Sequence, residues 1–291
     1  MDTLLQLLTR GLETGSIYAL TALGIVLIFK TNGTVNFAQG TIGMFCTYTA
    51  TWIFAKFGAP VAGSVVGAVA AALAIGVFMD IAVIRHTAKV GAVGKQIITL
   101  GFFMMILGIT PMVFGINLLS LPKLVQGNLE LAGGIAFSAN GFLNIIIGVA
   151  ITLALFLTLQ KTKLGLAVRA TAMGESTARM LGIPTKTVTM FAWACACALS
   201  ALSGVMIAPS TTVSLTVMDA VLSSAFLSCF FGGYQTFHGP VIAAFIIGIA
   251  KNLIVYYWSS VWGELMIYIV VFVFIVFRPN GLIGKAPVKK V

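Results

Sequence analysis

The stretch Gly141-Phe142-Leu143-Asn144-Ile145-Ile146-Ile147-Gly148-Val149-Ala150-Ile151-Thr152-Leu153-Ala154-Leu155-Phe156-Leu157-Thr158-Leu159 contains no charged side chain, and the uncharged run around it spans residues 131–160. A helix rises about 1.5 Å per residue, so this stretch makes a rod of roughly 28 Å, close to the ~30 Å hydrocarbon thickness of a bilayer. Residues 31–55, 57–79, 96–122, 187–218 and 220–250 are equally free of Asp, Glu, Lys and Arg. Each run holds at least one crossing, and 220–250 holds the ends of two. The whole chain is 59% hydrophobic and 8% charged, with a mean hydropathy of +1.08. Soluble domains carry about 25% charged residues. So few charges cannot make a water-facing surface, so most of the exterior faces lipid.

Gly, Pro and short polar clusters punctuate the apolar runs. They place spans at 12–29, 37–54, 60–84, 97–119, 141–159, 189–208, 213–231, 239–258 and 262–277. The expectation is an all-α integral membrane protein, residues 1–291 forming a single transmembrane domain of about 8–9 helices. The segments 37–54 and 213–231 have the character of partly re-entrant pieces. The first apolar stretch, Ser16–Phe29, runs to Lys30 without a small-residue cleavage site and reads as a retained span.

Alternating these spans sorts the charges. One side receives Lys30, Arg85, Lys89, Lys95, Lys161, Lys163, Arg169, Arg179, Lys186, Arg278, Lys285, Lys289 and Lys290, which is 13 of the 17 basic residues, against Asp80 and Glu175 alone. Arg10, Lys56, Lys123 and Lys251 fall on the other side with Asp2, Glu13, Glu130, Asp219 and Glu264. The positive-inside rule makes the first side cytoplasmic, and with it the C-terminus. The net charge of +10 therefore reflects topology. The basic residues sit in short loops and form no separate domain, which argues against nucleic-acid binding.

Enzyme signatures are missing. The two histidines, His86 and His238, have no acidic neighbours at metal-ligand spacing. Cys46, Cys195, Cys197 and Cys229 lie in apolar runs and read as small buried hydrophobes. Gly91-Ala92-Val93-Gly94-Lys95-Gln96 lacks the spacing and the hydroxyl of a phosphate loop and reads as a cytoplasmic turn. Span centres are nearly free of the ionisable groups that ion-coupled carriers keep at membrane depth. Lys251 and Glu264 are placed to pair with each other near the outer end. A transport protein with neither an ATP site nor a coupling-ion site is a channel or one part of a larger machine.

The longest hydrophilic segment is the loop at about 161–187. Within it, Leu166–Leu181 favours one helix, with Leu166, Ala170, Met173, Thr177, Met180 and Leu181 on a common face. Gly182 suits its C-terminal cap, and Pro184 prevents continuation. The pattern fits a helix lying on lipid headgroups or a short cytoplasmic helix seated in a groove on a soluble partner. A second unusual block, Asn36-Phe37-Ala38-Gln39-Gly40-Thr41, opens an uncharged span with amides and a hydroxyl. Asn36, Gln39 and Thr41 either line the translocation path near the cytoplasmic mouth or join helices through hydrogen bonds and small residues.

Four blocks then carry a likeness: Gly15-Ser16-Ile17-Tyr18-Ala19-Leu20-Thr21-Ala22-Leu23-Gly24 followed by Asn32–Gly40; the loop Gly165–Pro184; Phe231-Gly232-Gly233 with His238-Gly239-Pro240-Val241-Ile242-Ala243-Ala244; and Phe277-Arg278-Pro279-Asn280-Gly281-Leu282-Ile283-Gly284. In these blocks the chain resembles the LivH-type permease subunit of branched-chain amino acid ABC transporters, a family that also includes permeases for urea and short-chain amides. The resemblance implies an importer permease of the bacterial inner membrane, with no cofactor and no catalytic residues of its own. It implies as partners a second related permease, two cytoplasmic ATPase subunits that hydrolyse the ATP, an extracytoplasmic solute-binding protein and the membrane lipid. It implies that Arg169, Met173, Gly174, Glu175, Leu181 and Gly182 lie at or near the ATPase contact, in a short cytoplasmic coupling helix. A stand-alone channel or ion-coupled carrier is the alternative from another class.

Overall fold

The computed structural model describes residues 2–87, 90–115, 117, 119–131, 135–279 and 281–283. Lys89, Asn280, Gly284, Lys285, Lys289 and Lys290 lie outside the described residues.

The apolar stretches fold as helices because a backbone in lipid must satisfy its hydrogen bonds within the segment. In chain order they are α1 (Asp2–Asn32), α2 (Gln39–Phe57), α3 (Val61–Phe78), α4 (Ala92–Phe114), α5 (Ala139–Lys161), α6 (Lys163–Met173), α7 (Glu175–Met180), α8 (Thr185–Ile207), α9 (Asp219–Gly232), α10 (His238–Tyr257) and α11 (Ser260–Phe277). Two short strands, β1 (Asn128–Leu131) and β2 (Ile135–Ser138), pair antiparallel between α4 and α5.

Helix α1 is the axle. It packs against α2, α5, α6, α8, α9 and α10. Ala19, Leu20, Ala22, Ile25, Val26, Leu27 and Ile28 are wholly buried, so this helix is apolar on every face because every face meets protein. Helix α8 stands beside it and carries α2 and α3 on its far side, with α4 outside α2; α9, α10 and α11 cover the opposite flank. Small residues set the spacing. A Cβ on Gly248 would lie 2.6 Å from the Gly15 amide nitrogen, and one on Gly11 would lie 2.7 Å from the Ile249 Cα. Glycine at these crossings lets α1 and α10 approach backbone to backbone, the main source of attraction between helices where lipid is as apolar as the side chains.

Among the described residues, six helical segments are long and apolar enough to cross a membrane: Thr3–Asn32, Val61–Thr87, Ala92–Phe114, Ala139–Lys161, Thr185–Ser210 and His238–Tyr257. The others among the expected spans differ in kind. Helix α2 is diluted by Gln39 and by Thr41, Thr47, Thr49 and Thr51, while Asp219–Gly232 and Trp262–Phe277 are shorter apolar helices. At about 1.5 Å per residue α9 reaches only about 21 Å, and the expected span 213–231 begins with non-helical backbone before Asp219. There the amide of Val213 donates to the carbonyl of Leu119 (2.9 Å), bridging the ends of two segments that follow spans.

One local expectation is corrected and two details are added. The expected span 60–84, from residue 61 on, lies within the continuous helical segment Val61–Thr87, in which Met79–Ile84 widens into a π-helical turn and Arg85–Thr87 tightens to 3-10. The Gly91–Gln96 segment is not a turn, since Gly91 is the N-cap of α4 and Ala92–Gln96 form its first helical residues. The hairpin β1–β2 was not foreseen, because four-residue strands leave no readable alternation.

Candidate functional site

The amide block begins α2. Asn36, Gln39 and Thr41 are all buried, Asn36 and Gln39 completely. Gln39 Nε2 donates to the carbonyl of Ala196 on α8 (2.7 Å), and Asn36 Nδ2 donates to Gln39 Oε1 (3.1 Å). Asn36 Oδ1 accepts from the Ala38 amide (3.0 Å), and Thr41 Oγ1 donates to the Ala38 carbonyl (3.0 Å). From the other side, Ser200 Oγ donates to the Gln39 carbonyl (2.6 Å). Gly24 on α1 leaves room for this cluster: a Cβ there would lie 2.6 Å from Gln39 Nε2. Each amide group thus bonds inward, where α2 meets α8 and the Gly24 face of α1. Ser200 and the Ala196 carbonyl escaped the sequence reading, because single small hydroxyl residues are common in apolar helices and a backbone carbonyl leaves no mark in the residue pattern.

The loop after α5 is built as two helices and not one. Gly174 has extended backbone (φ 171°) and separates α6 from α7. Thr162 caps α6, its Oγ1 accepting from the Gly165 amide (3.1 Å), and Arg169 Nη2 donates to the Gln160 carbonyl near the C-terminus of α5 (3.4 Å). Gly182 closes α7 in the left-handed region (φ +80°). The Ile183 amide bonds back to the Ala178 carbonyl (3.0 Å) and the Gly182 amide to the Arg179 carbonyl (3.1 Å), the paired bonds of a Schellman stop. On α7, Glu175 Oε1 accepts from Arg179 Nη2 at 2.7 Å.

The two faces of this segment differ sharply. Val168, Thr171 and Ala178 are buried, and Val168 joins Leu27, Leu159, Val188 and Ala192 in one apolar cluster. Met173, Met180 and Leu181 are 94%, 83% and 75% exposed. The Leu166–Leu181 face expected from the periodicity is therefore the outward one. Methionines on a protruding corner suit contact with a partner, since the flexible thioether adapts to irregular surfaces.

The remaining sequence blocks converge at the same end. The Leu282 amide donates to the Phe231 carbonyl (2.8 Å), and Gly281 turns with φ +74° where a Cβ would lie 2.6 Å from the Gly233 amide nitrogen. Gly232 packs directly on Gly239. Lys30 Nζ reaches the Gln235 carbonyl (2.6 Å) and lies 4.5 Å from the centre of the Phe237 ring. Nearby, Asp80 is fully buried and accepts from Arg85 Nε at 2.9 Å, while Arg85 also reaches the Lys186 carbonyl (3.2 Å). Toward the other end Lys251 and Glu264 form the expected pair at 2.5 Å, and Asn144 Nδ2 donates to Glu13 Oε1 (2.8 Å). The four cysteines are free.

This architecture has known counterparts. The family described as branched-chain amino acid transport system / permease component matches residues 7–276. A probable branched-chain amino acid transport permease protein LivH of Methanocaldococcus jannaschii is 28% identical, over 96% of this chain and 92% of the relative. The high-affinity branched-chain amino acid transport system permease protein LivH of Escherichia coli K12 is 26% identical, over 99% of this chain and 97% of the relative. The corresponding permease protein BraD of Pseudomonas aeruginosa is 23% identical, over 99% and 98%. Among solved structures, PsaBC from Streptococcus pneumoniae in complex with Fab matches with a TM-score of 0.50 and 13% identity over 95% of this chain and 91% of that one, a likeness of fold alone. The match across nearly the whole length places the chain in the family of branched-chain amino acid transport permease components.

Proposed function

We propose that the chain is the transmembrane permease of an ATP-driven importer for branched-chain, hydrophobic amino acids, and that it works as one unit. In this reading it lies in a cytoplasmic membrane with the nine apolar elements α1–α5 and α8–α11 at membrane depth, and the basic end and C-terminus face the cytoplasm. An extracytoplasmic binding protein delivers the solute, a second related permease completes the path, and two separate subunits hydrolyse ATP.

The observation that carries this reading is the two-faced α6–α7 segment. Its inner face is fixed to α1, α5 and α8, and its outer corner offers Met173, Met180 and Leu181. A lever must be rigid toward the load and adhesive toward the motor. Caps at both ends supply the rigidity, and the exposed apolar corner supplies the adhesion. Gly174 and Gly182 bracket the corner, and Arg169, Glu175 and Arg179 ring it with charge. ATP-driven closure of the motor then moves α6–α7 as one of two discrete positions and biases the helices attached to it.

On the same reading Asn36, Gln39 and Thr41 lie beside the path, and the bonds between Gln39 and α8 part when it opens. The bonds they make are between neutral groups, so they exchange without burying a charge. A conduit lined by neutral dipoles suits a zwitterionic cargo and leaves selectivity mainly to the binding protein.

The test is Met173→Asp together with Leu181→Arg, both fully surface changes. The expected result is loss of co-purification with the ATPase subunits and of ATP-driven uptake, with an unchanged melting profile of the chain itself. Retention of both the complex and uptake would remove α6–α7 as the coupling element.

A further inference from the structure

Where α7 meets the ends of the membrane helices, a cavity of about 290 Å³ opens at the basic end. Asn32 ends α1, Asp80 and Arg85 follow α3, Lys95 begins α4, Glu175 and Arg179 stand on α7, and Lys186 begins α8; all line it. Four basic groups here face two carboxylates. Each carboxylate already holds an arginine, Asp80 with Arg85 and Glu175 with Arg179. Among the described residues, the ammonium groups of Lys95 and Lys186 have no ion-pair partner.

The buried wall is also incomplete. Among the described residues, Asn32 Nδ2 has no acceptor, and Asp80 Oδ1, on a carboxylate with no exposed surface, has no donor. One buried water can accept from the amide and donate to the carboxylate. It offers no fixed negative charge to the two unpaired ammonium groups and no fixed positive charge to the unpaired carboxylate oxygen. The complement of this lining is a molecule with an anionic group and, a few ångströms away, an ammonium. Free α-amino acids and ethanolamine phospholipid headgroups share that chemistry.

We propose that this cavity binds a free α-amino acid, its carboxylate toward Lys95, Lys186 and the Asn32 amide and its ammonium on Asp80. The proposal rests on the importer reading, because it takes the cavity to open on the side where cargo is released. Two walls belong to α7 and the rest to α1, α3, α4 and α8, so an occupant ties the lever to the helices it must move. A ligand that binds one arrangement only favours it by the factor 1 + [L]/Kd. At ten times its Kd the occupant slows the coupled step about tenfold. Accumulated product thereby restrains its own import.

The assembled transporter in nanodiscs, with its binding protein saturated by leucine, provides the test. ATPase turnover is followed as leucine is raised far beyond that saturation. The expected result is a fall of about tenfold, absent with 4-methylpentanoate, which lacks the ammonium, and absent with isopentylamine, which lacks the carboxylate. Lys95→Gln, which leaves both arginine pairs intact, and Asp80→Asn should each relieve the fall. Unchanged turnover at high leucine, equal inhibition by either analogue, or equal inhibition in Lys95→Gln overturns the proposal. An effect that follows the phosphatidylethanolamine content of the nanodisc in place of leucine assigns the cavity to a lipid headgroup and also overturns it. Radiolabelled leucine binding separates the two levels: Lys95-dependent binding without ATP-driven transport sinks the importer reading alone, and transport without such binding sinks only the site.

Discussion

Gln39 shows most directly how one residue joins α2 to α8. Its Nε2 bonds to α8, its Oε1 accepts from Asn36, and its carbonyl accepts from Ser200. Gln39→Leu leaves Asn36 Nδ2 without a partner and removes the bond that ties α2 to the Ala196 carbonyl, a cost of about 1–3 kcal/mol for buried polar groups. The melting temperature of the purified chain should fall and uptake by the assembled transporter should drop; normal stability with normal uptake would contradict this role. Glycines supply a second residue-scale test. Gly248→Ala drives a Cβ into the backbone of α1, whereas a Cβ on Gly101 meets nothing within 4 Å. Thermal unfolding should show Gly248→Ala strongly destabilised and Gly101→Ala unchanged or raised by about 0.5–1 kcal/mol from helix propensity. The sequence marks Asn36 and Gln39 as out of place in an apolar run, but it does not show where they point. A helix surrounded by protein and one surrounded by lipid are both apolar on all sides, so α1 and α2 lack the 3.6-residue polarity that would reveal a facing.

At the scale of elements, hydropathy locates the helices well and their interruptions poorly. The expected 141–159 lies within α5 and 239–258 coincides with α10 to within a residue, because length and apolarity alone decide them. The π-turn at Met79–Ile84 and the four-residue strands of β1–β2 leave no mark in the hydropathy pattern, whereas the break at Gly174 has one local signal, a glycine inside a helical pattern. The Schellman stop at Gly182 was legible, since a Gly followed closely by Pro is a strong helix terminator. Its contribution is testable: Gly182→Ala forces a Cβ into the left-handed region at about 1–2 kcal/mol. Hydrogen exchange should rise across Glu175–Met180 and leave α8 protected. Unchanged exchange in α7 would mean that the cap does not hold the segment.

For the whole molecule, charge asymmetry, family and architecture converge on a permease with one working end. Orientation is checked by single cysteines at Met180 and Val125, both exposed. A membrane-impermeant thiol reagent should label Met180→Cys only from the cytoplasmic side and Val125→Cys only from the opposite side; labelling of both from one side would invert or break the topology. The central claim is that this chain moves amino acids only when an external motor drives it. The direct measurement is leucine uptake into proteoliposomes, with the chain alone and with the second permease, the ATPase subunits and the loaded binding protein. Leucine should accumulate in the complete system with ATP and should not accumulate with the chain alone or without ATP. Saturable leucine uptake by the chain alone, with no ATP present, would contradict that claim.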